Sequence, residues 1–266
     1  MLSIIYPAFC PICNQALSRP CKSTICPACW ENITLIQPPI CSVCGLPLNA
    51  APDIAQSIEL MCADCRKRRR PFTAARALGI YEYELRDIIL LLKFKGKSKL
   101  AEELGTLALN KLRNNKLIDG VDAIVPVPLY WQRKRKRGFN QAELLAGYLG
   151  KQLELPLLSG YLRRIKNTPP QSQVDAKERA KNVRGAFKVR EPWWRIAKGL
   201  LQIVMDRIKG KLVKKWSLST PTNYLKGKVI LLVDDIFTTG ATVSECARTL
   251  KKAGAKEVRI FTIARA

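Results

Sequence analysis

The sequence contains no histidine. That absence excludes Ser-His-Asp and Cys-His catalysis and any zinc site with an imidazole ligand. Proton transfer and metal ligation must therefore rest on Cys, carboxylates, Lys, Tyr, hydroxyls or backbone. No apolar run reaches the roughly 20 residues needed to cross a bilayer. Residues 1–9 lack a basic leading region and run directly into Cys10, so no cleaved signal peptide is expected, and the chain should stay in the cytoplasm. Acidic residues are also scarce: 21 Asp plus Glu stand against 46 Lys plus Arg, a net charge of +25. Charge this one-sided concentrates anions, and phosphate esters, nucleic acid and anionic membrane surfaces all qualify.

What is present begins with cysteine. Cys10-x-x-Cys13 is followed after twelve residues by Cys26-x-x-Cys29, and Cys41-x-x-Cys44 after seventeen by Cys62-x-x-Cys65. Two such knuckles present four thiolates to one tetrahedral zinc ion, so pairing in sequence order predicts two closed structural zinc sites. Disulfides are the alternative, disfavoured in a cytoplasmic chain, and an iron-sulfur cluster is the minor one. Gly45 suits a knuckle turn that needs positive φ. Cys21 and Cys246 fall outside the pairs and read as buried thiols.

The Arg-Lys-Arg-Arg-Arg run at 66–70 meets Pro71 and marks a boundary. A zinc-ribbon module over 1–70 is expected before a larger domain over 71–266. In the latter, strands are expected at 77–83, 123–127, 187–189, 229–233 and 258–263. Helices are expected at 85–92, 101–112, 141–151 and 243–253. Residues 162–187 read as a long mobile loop leading to the 187–189 strand.

Val229 to Val233 form a continuous apolar run of the kind a central parallel strand needs, and it delivers Asp234-Asp235 at its carboxyl end. Thr238-Thr239-Gly240-Ala241-Thr242 then opens a helix. Hydroxyls and unpaired N–H groups there cradle an anion, and Gly240 lets the backbone approach a phosphate. A carboxylate pair beside an anion cradle makes sense for a phosphorylated ribose: the acids accept from the sugar hydroxyls and the cradle takes the 5′-phosphate.

This segment resembles the PRPP motif of type I phosphoribosyltransferases. The whole chain resembles the ComF family, GntX-like members included. The likeness is carried by the cysteine front end, Arg137-Gly138-Phe139-Asn140-Gln141, Thr168-Pro169-Pro170-Gln171, Glu178-Arg179 and Asn182-Val183-Arg184-Gly185-Ala186-Phe187. It covers about four-fifths of the chain and stops at 191–224, which reads as an insertion.

The resemblance implies an α/β type I phosphoribosyltransferase fold, a mostly parallel sheet flanked by helices, with a small N-terminal zinc-ribbon module. It implies that Asp234 and Asp235 bind the ribose diol and that Thr238, Thr239, Gly240, Ala241 and Thr242 bind the phosphate. Val127-Pro128-Leu129 would stand where these folds place a pyrophosphate loop, with Mg²⁺ bridging if the ligand is PRPP. Arg137, Asn140 and Gln141 would border the pocket, and Arg179 and Arg184 could close over it.

The role implied is in natural transformation, handling incoming single-stranded DNA beside the uptake machinery. An active phosphoribosyltransferase of nucleotide salvage is the alternative, with no residue here naming its acceptor. A protein-binding adaptor is a third reading. Basic clusters at 66–70, 93–99 and 133–137 favour a polyanion. Phe94, Trp131 and Phe139 are candidate base-stacking platforms, although each aromatic alone reads first as core packing. The insertion carries Trp193, Trp194, Trp216 and a lysine-rich amphipathic stretch. Segment 193–216 is expected to dock on its own domain, on a partner or on a membrane surface.

Overall fold

The computed structural model describes residues 8–17, 23–49, 60–95, 98–113, 115–167, 181–190 and 222–266, with side chains undescribed at 94, 95, 98, 222 and 223. Thr168 to Gln171, Glu178, Arg179, Cys21, Phe94's ring and residues 191–221 of the expected insertion lie outside this description.

The elements in chain order are α1 (Pro27–Glu31), α2 (Ala63–Lys67), β1 (Ala74–Ile80), α3 (Tyr83–Lys95), α4 (Ser98–Arg113) and a 3-10 turn (Lys116–Ile118). They continue with β2 (Ala123–Pro126), α5 (Trp131–Arg137), α6 (Gln141–Gln152), β3 (Leu162–Arg164) and β4 (Phe187–Val189). The chain closes with α7 (Thr222–Leu225), β5 (Val229–Phe237), α8 (Ala241–Lys252) and β6 (Glu257–Arg265). Strands β1-β6-β5-β2, in that order, form one parallel sheet.

Burial follows from this arrangement. On β5, Ile230, Leu231, Leu232 and Val233 are each 0% exposed, as a central parallel strand with both faces covered requires. Leu231 and Val233 join one core with α3, α4 and α6 on one side of the sheet, while Ile230 and Leu232 join another with α8 on the opposite side. No described helix is long and apolar enough to cross a membrane.

Three expectations change. The strand expected at 77–83 runs over Ala74–Ile80, and Tyr83 already opens α3. Leu162–Arg164, read as the start of a loop, is strand β3, paired antiparallel with β4. Three residues are too few for alternation to announce a strand; the partner more than twenty positions away supplies the pairing. The basic run 133–137 is the body of helix α5, in which no residue is buried, so no apolar stripe marked it.

The cysteine-bearing segments dock on the edge of this sheet. Thr34 and Leu35 meet β1, with Ile80 N–H donating to Thr34 O at 2.9 Å, and Ala75 N–H donates to Val43 O at 2.7 Å. Gly45 takes φ +68°, and a Cβ there would stand 2.5 Å from Ala75 O, so this knuckle turn needs glycine for its backbone and for its contact with β1. On the other flank, Glu103 of α4 accepts from Ser23 Oγ at 3.2 Å and Thr24 N–H at 3.1 Å.

Candidate functional site

The sequence-order pairing of cysteines is what the fold assembles: Cys10, Cys13, Cys26 and Cys29 form one cluster and Cys41, Cys44, Cys62 and Cys65 the other, each with its sulfurs within 4.8 Å of one another. A tetrahedral zinc ion with Zn–S bonds of about 2.3 Å places its sulfurs about 3.8 Å apart. The Sγ separations are 3.9 Å for Cys10–Cys29, 3.5 Å for Cys13–Cys26 and 3.7 Å for Cys44–Cys62. All nine described cysteines are free, so the disulfide reading falls. Backbone N–H groups face the sulfurs, as around a thiolate: Cys62 N–H lies 3.3 Å from Cys41 Sγ and Cys26 N–H 3.5 Å from Cys10 Sγ. Both sites offer four sulfurs and no open position, which suits structural zinc. Cys246 is buried on α8, as expected, and burial pushes its thiol well above the ordinary range.

The second site is built at the carboxyl ends of β2 and β5. Parallel register sets Pro126 beside Val233, and Val127 N–H donates to Val233 O at 2.8 Å. The Val127-Pro128-Leu129 loop therefore lies alongside Asp234. Asn140 caps α6, accepting from Ala142 N–H at 3.2 Å, while its amide donates to Val127 O at 3.0 Å. Its side chain is thus spent on fixing that loop to the helix start.

Strand geometry persists through Asp235, further than the apolar run alone suggests. Asp235 Oδ2 receives Lys93 Nζ from α3 at 3.0 Å and Gln141 Nε2 from α6 at 3.0 Å. Burial works to raise the Asp235 pKa, but the Lys93 ammonium outweighs it and holds the carboxyl below its usual value. Burial and the adjacent Asp235 charge push Asp234 well above the ordinary range. The two carboxyls are thus pushed in opposite directions, Asp235 down and Asp234 up. Gln141 Oε1 has no partner among the described residues, which leaves an unsatisfied acceptor on the same wall.

The 238–242 loop turns at Gly240, φ +75°, where a Cβ would lie 2.6 Å from the Phe237 ring. The glycine expected to admit a phosphate is required first by its left-handed backbone and by that ring. Arg265 stacks its guanidinium 4.6 Å above Phe237 and donates to Cys44 O at 2.7 Å, so the second cysteine cluster supports the underside of the loop.

These pieces enclose one cavity of about 550 Å³. Asp234, Asp235, Thr238, Gly240, Ala241 and Thr242 line it, as do Pro128, Arg137, Asn140 and Gln141. Thr239 does not; its hydroxyl accepts from Ala241 N–H at 3.4 Å and shapes the turn. Arg184 stays outside: Gly185 N–H is tied to Glu245 Oε1 on α8 at 2.8 Å, and Lys166 Nζ donates to Arg184 O at 3.2 Å. Lys93, Arg133, Arg164 and Tyr81 join the wall without having been named as site residues. Lys93 and Arg133 lay within basic runs; nothing local marked Arg164 or Tyr81.

Residues 1–66 match the double zinc ribbon domain and residues 140–266 the phosphoribosyl transferase domain. The chain joins a double zinc ribbon domain to a phosphoribosyl transferase domain. Competence protein F of Haemophilus influenzae is 29% identical over 248 residues, spanning 92% of each chain. DNA utilization protein YhgH of Escherichia coli is 28% identical over 262 residues, 97% of each. Competence protein ComFC of Bacillus subtilis is 27% identical over 248 residues, 91% of this chain and 84% of that one. The zinc-ribbon match covers all eight paired cysteines, and the transferase match covers Asn140, Gln141, the acid pair and the 238–242 loop.

Proposed function

We propose that this chain is a ComF-family protein that handles single-stranded DNA during natural transformation and DNA utilisation, using a pocket shaped for a phosphorylated pentose. One observation carries the reading: a single cavity unites the Asp234-Asp235 pair, the 238–242 loop at the α8 N-terminus and the Val127-Pro128-Leu129 loop, with Lys93, Arg133, Arg137 and Arg164 around them. Sugar hydroxyls donate to the acids, a 5′-phosphate faces the Thr238 and Thr242 hydroxyls and the helix N-terminus, and the arginines offset the remaining charge. The names of the relatives supply the biological setting, and a net charge of +25 suits a polyanion. Such handling would occur on the cytoplasmic side of the uptake machinery.

PRPP fits the same donors. Mg²⁺ bound with it would neutralise pyrophosphate charge, next to Asp234, Asp235 and the Val127-Pro128-Leu129 loop. Transfer from PRPP is the second reading, favoured by the intact acid pair and phosphate loop; it needs positioning and charge stabilisation rather than a strong base, so the lack of histidine does not forbid it.

Two measurements test these readings. Titration calorimetry with PRPP and Mg²⁺ should give binding that Asp235→Asn weakens at least tenfold; no heat from the wild type sinks the pocket assignment. Filter binding should give single-strand affinity that falls steeply with salt. Indifference to DNA at low salt sinks the DNA role.

A further inference from the structure

A second cavity, of about 660 Å³, lies beside the first, and Arg164 stands in the wall of both. Helix α5 divides them: Arg133 and Arg137 face the ribose-phosphate cavity, while Trp131, at the start of the same helix, lines the other together with Tyr130. Trp131 is 56% exposed, against the expectation that it would pack in the core. Its ring lies 5.9 Å from that of Tyr130 at 48°, a tilted pair that is not stacked face to face.

The opposite wall is the β3–β4 hairpin, which contributes Arg163, Arg164, Lys188 and Arg190; among the described residues no carboxylate lines this cavity. Arg163 and Lys188 are direct cross-strand partners, both exposed. Like charges placed opposite each other destabilise a strand pair. Neither has an acidic partner among the described residues, so the hairpin holds an uncompensated repulsion that an anion would relieve.

We infer that this groove is the track of a single-stranded DNA whose 3′-terminal nucleotide sits in the ribose-phosphate cavity. The inference rests on the pocket reading above. Bases stack on Trp131 and Tyr130, phosphates lie against Arg163, Lys188 and Arg190, and the strand passes Arg164 to reach the pocket. Duplex DNA does not fit this chemistry, because its base faces are covered. The acid pair sets the polarity: a free 3′-hydroxyl donates to the ionised Asp235, whereas a chain continuing from that oxygen would bring a second phosphate against the carboxylates.

The experiment is fluorescence anisotropy with 5′-labelled oligothymidylates bearing either a 3′-hydroxyl or a 3′-phosphate, run beside PRPP calorimetry. Trp131→Ala should weaken oligonucleotide binding on the order of tenfold, and Trp131→Phe should restore most of it. PRPP affinity should be unchanged in both variants. Joint Arg163→Gln and Lys188→Gln should lower the log–log salt slope by about 1.4, at about 0.7 per phosphate contact, and should raise Tm by removing the repulsion. The 3′-phosphate oligonucleotide should bind about tenfold more weakly.

Wild-type affinity and slope in these variants overturn the track, and equal affinity for the two 3′ ends overturns the polarity. If Trp131→Ala binds DNA normally while Asp235→Asn loses PRPP, the track fails and the pocket stands. If DNA binding depends on Trp131 but the wild type takes no PRPP, the pocket reading fails instead.

Discussion

Lys93 Nζ sits 3.0 Å from Asp235 Oδ2, joining helix α3 to the end of the central strand, and the two side chains are only 18% and 14% exposed. This contact keeps one acid of the pair ionised. Replacing Lys93 with Met leaves a nearly buried carboxylate without its close ammonium partner, although Gln141 still donates to it. We expect a loss of about 2 kcal/mol, between the values for surface and buried pairs. The acid limb of PRPP binding should move to higher pH, because Asp235 then protonates more readily. Urea unfolding and calorimetry across pH 4–8 read both effects.

The two aspartates should respond to pH with opposite signs. Asp235 has a lowered pKa, so its contribution is present above the unfolded value of about 3.9 and is lost as pH falls through the folded value below that. Asp234 has a raised pKa: between the unfolded and folded values the folded state holds the extra proton, and above the folded value its charge opposes folding. Asp234→Asn should therefore raise Tm at pH 7–8, and the gain should vanish below about pH 4. An unchanged Tm at neutral pH would show that Asp234 is not held against its charge.

Gly240→Ala combines a left-handed backbone with a Cβ 2.6 Å from the Phe237 ring. The backbone term alone costs about 1–2 kcal/mol. We expect a lower Tm and loss of PRPP binding. Phe237→Leu added to Gly240→Ala should recover part of both, because the clash is removed and the backbone strain remains; a double variant no better than the single one would put the whole cost in the backbone.

Metal analysis should give two zinc ions per chain, and Cys44→Ser should leave one. Because Arg265 connects Cys44 to Phe237 under the 238–242 loop, zinc loss at the second site should weaken PRPP binding more than loss at the first. A Cys29→Ser chain with one zinc and normal PRPP affinity is the expected contrast. Equal effects would remove the specific route through Arg265.

Arg259 on β6 pairs with Glu257 and donates to the carbonyls of Lys116, Leu117 and Asp119 at 3.1, 3.0 and 2.7 Å. Arg259→Ala leaves the 3-10 turn without these donors. Denaturation should report a loss of about 2–3 kcal/mol with little change in ligand affinity, since the residue lies away from the pocket wall.

The sequence by itself determined the two four-cysteine clusters, the central strand and the turn at Gly240 that opens α8. Each is written in a short span: a Cys-x-x-Cys knuckle places both of its ligands through one local turn, and residues 229–242 contain strand, acid pair and loop in continuous order. Tertiary structure decided the rest. Lys93, Arg133, Arg164 and Tyr81 reach the cavity from separate stretches of chain, and only sheet register and helix packing bring them together. Pairing of β3 with β4 set Arg163 opposite Lys188, and docking of the zinc modules on β1 put Arg265 against Cys44. Trp131 read as core because an aromatic's burial depends on what folds over it, and nothing within helix α5 specifies that cover.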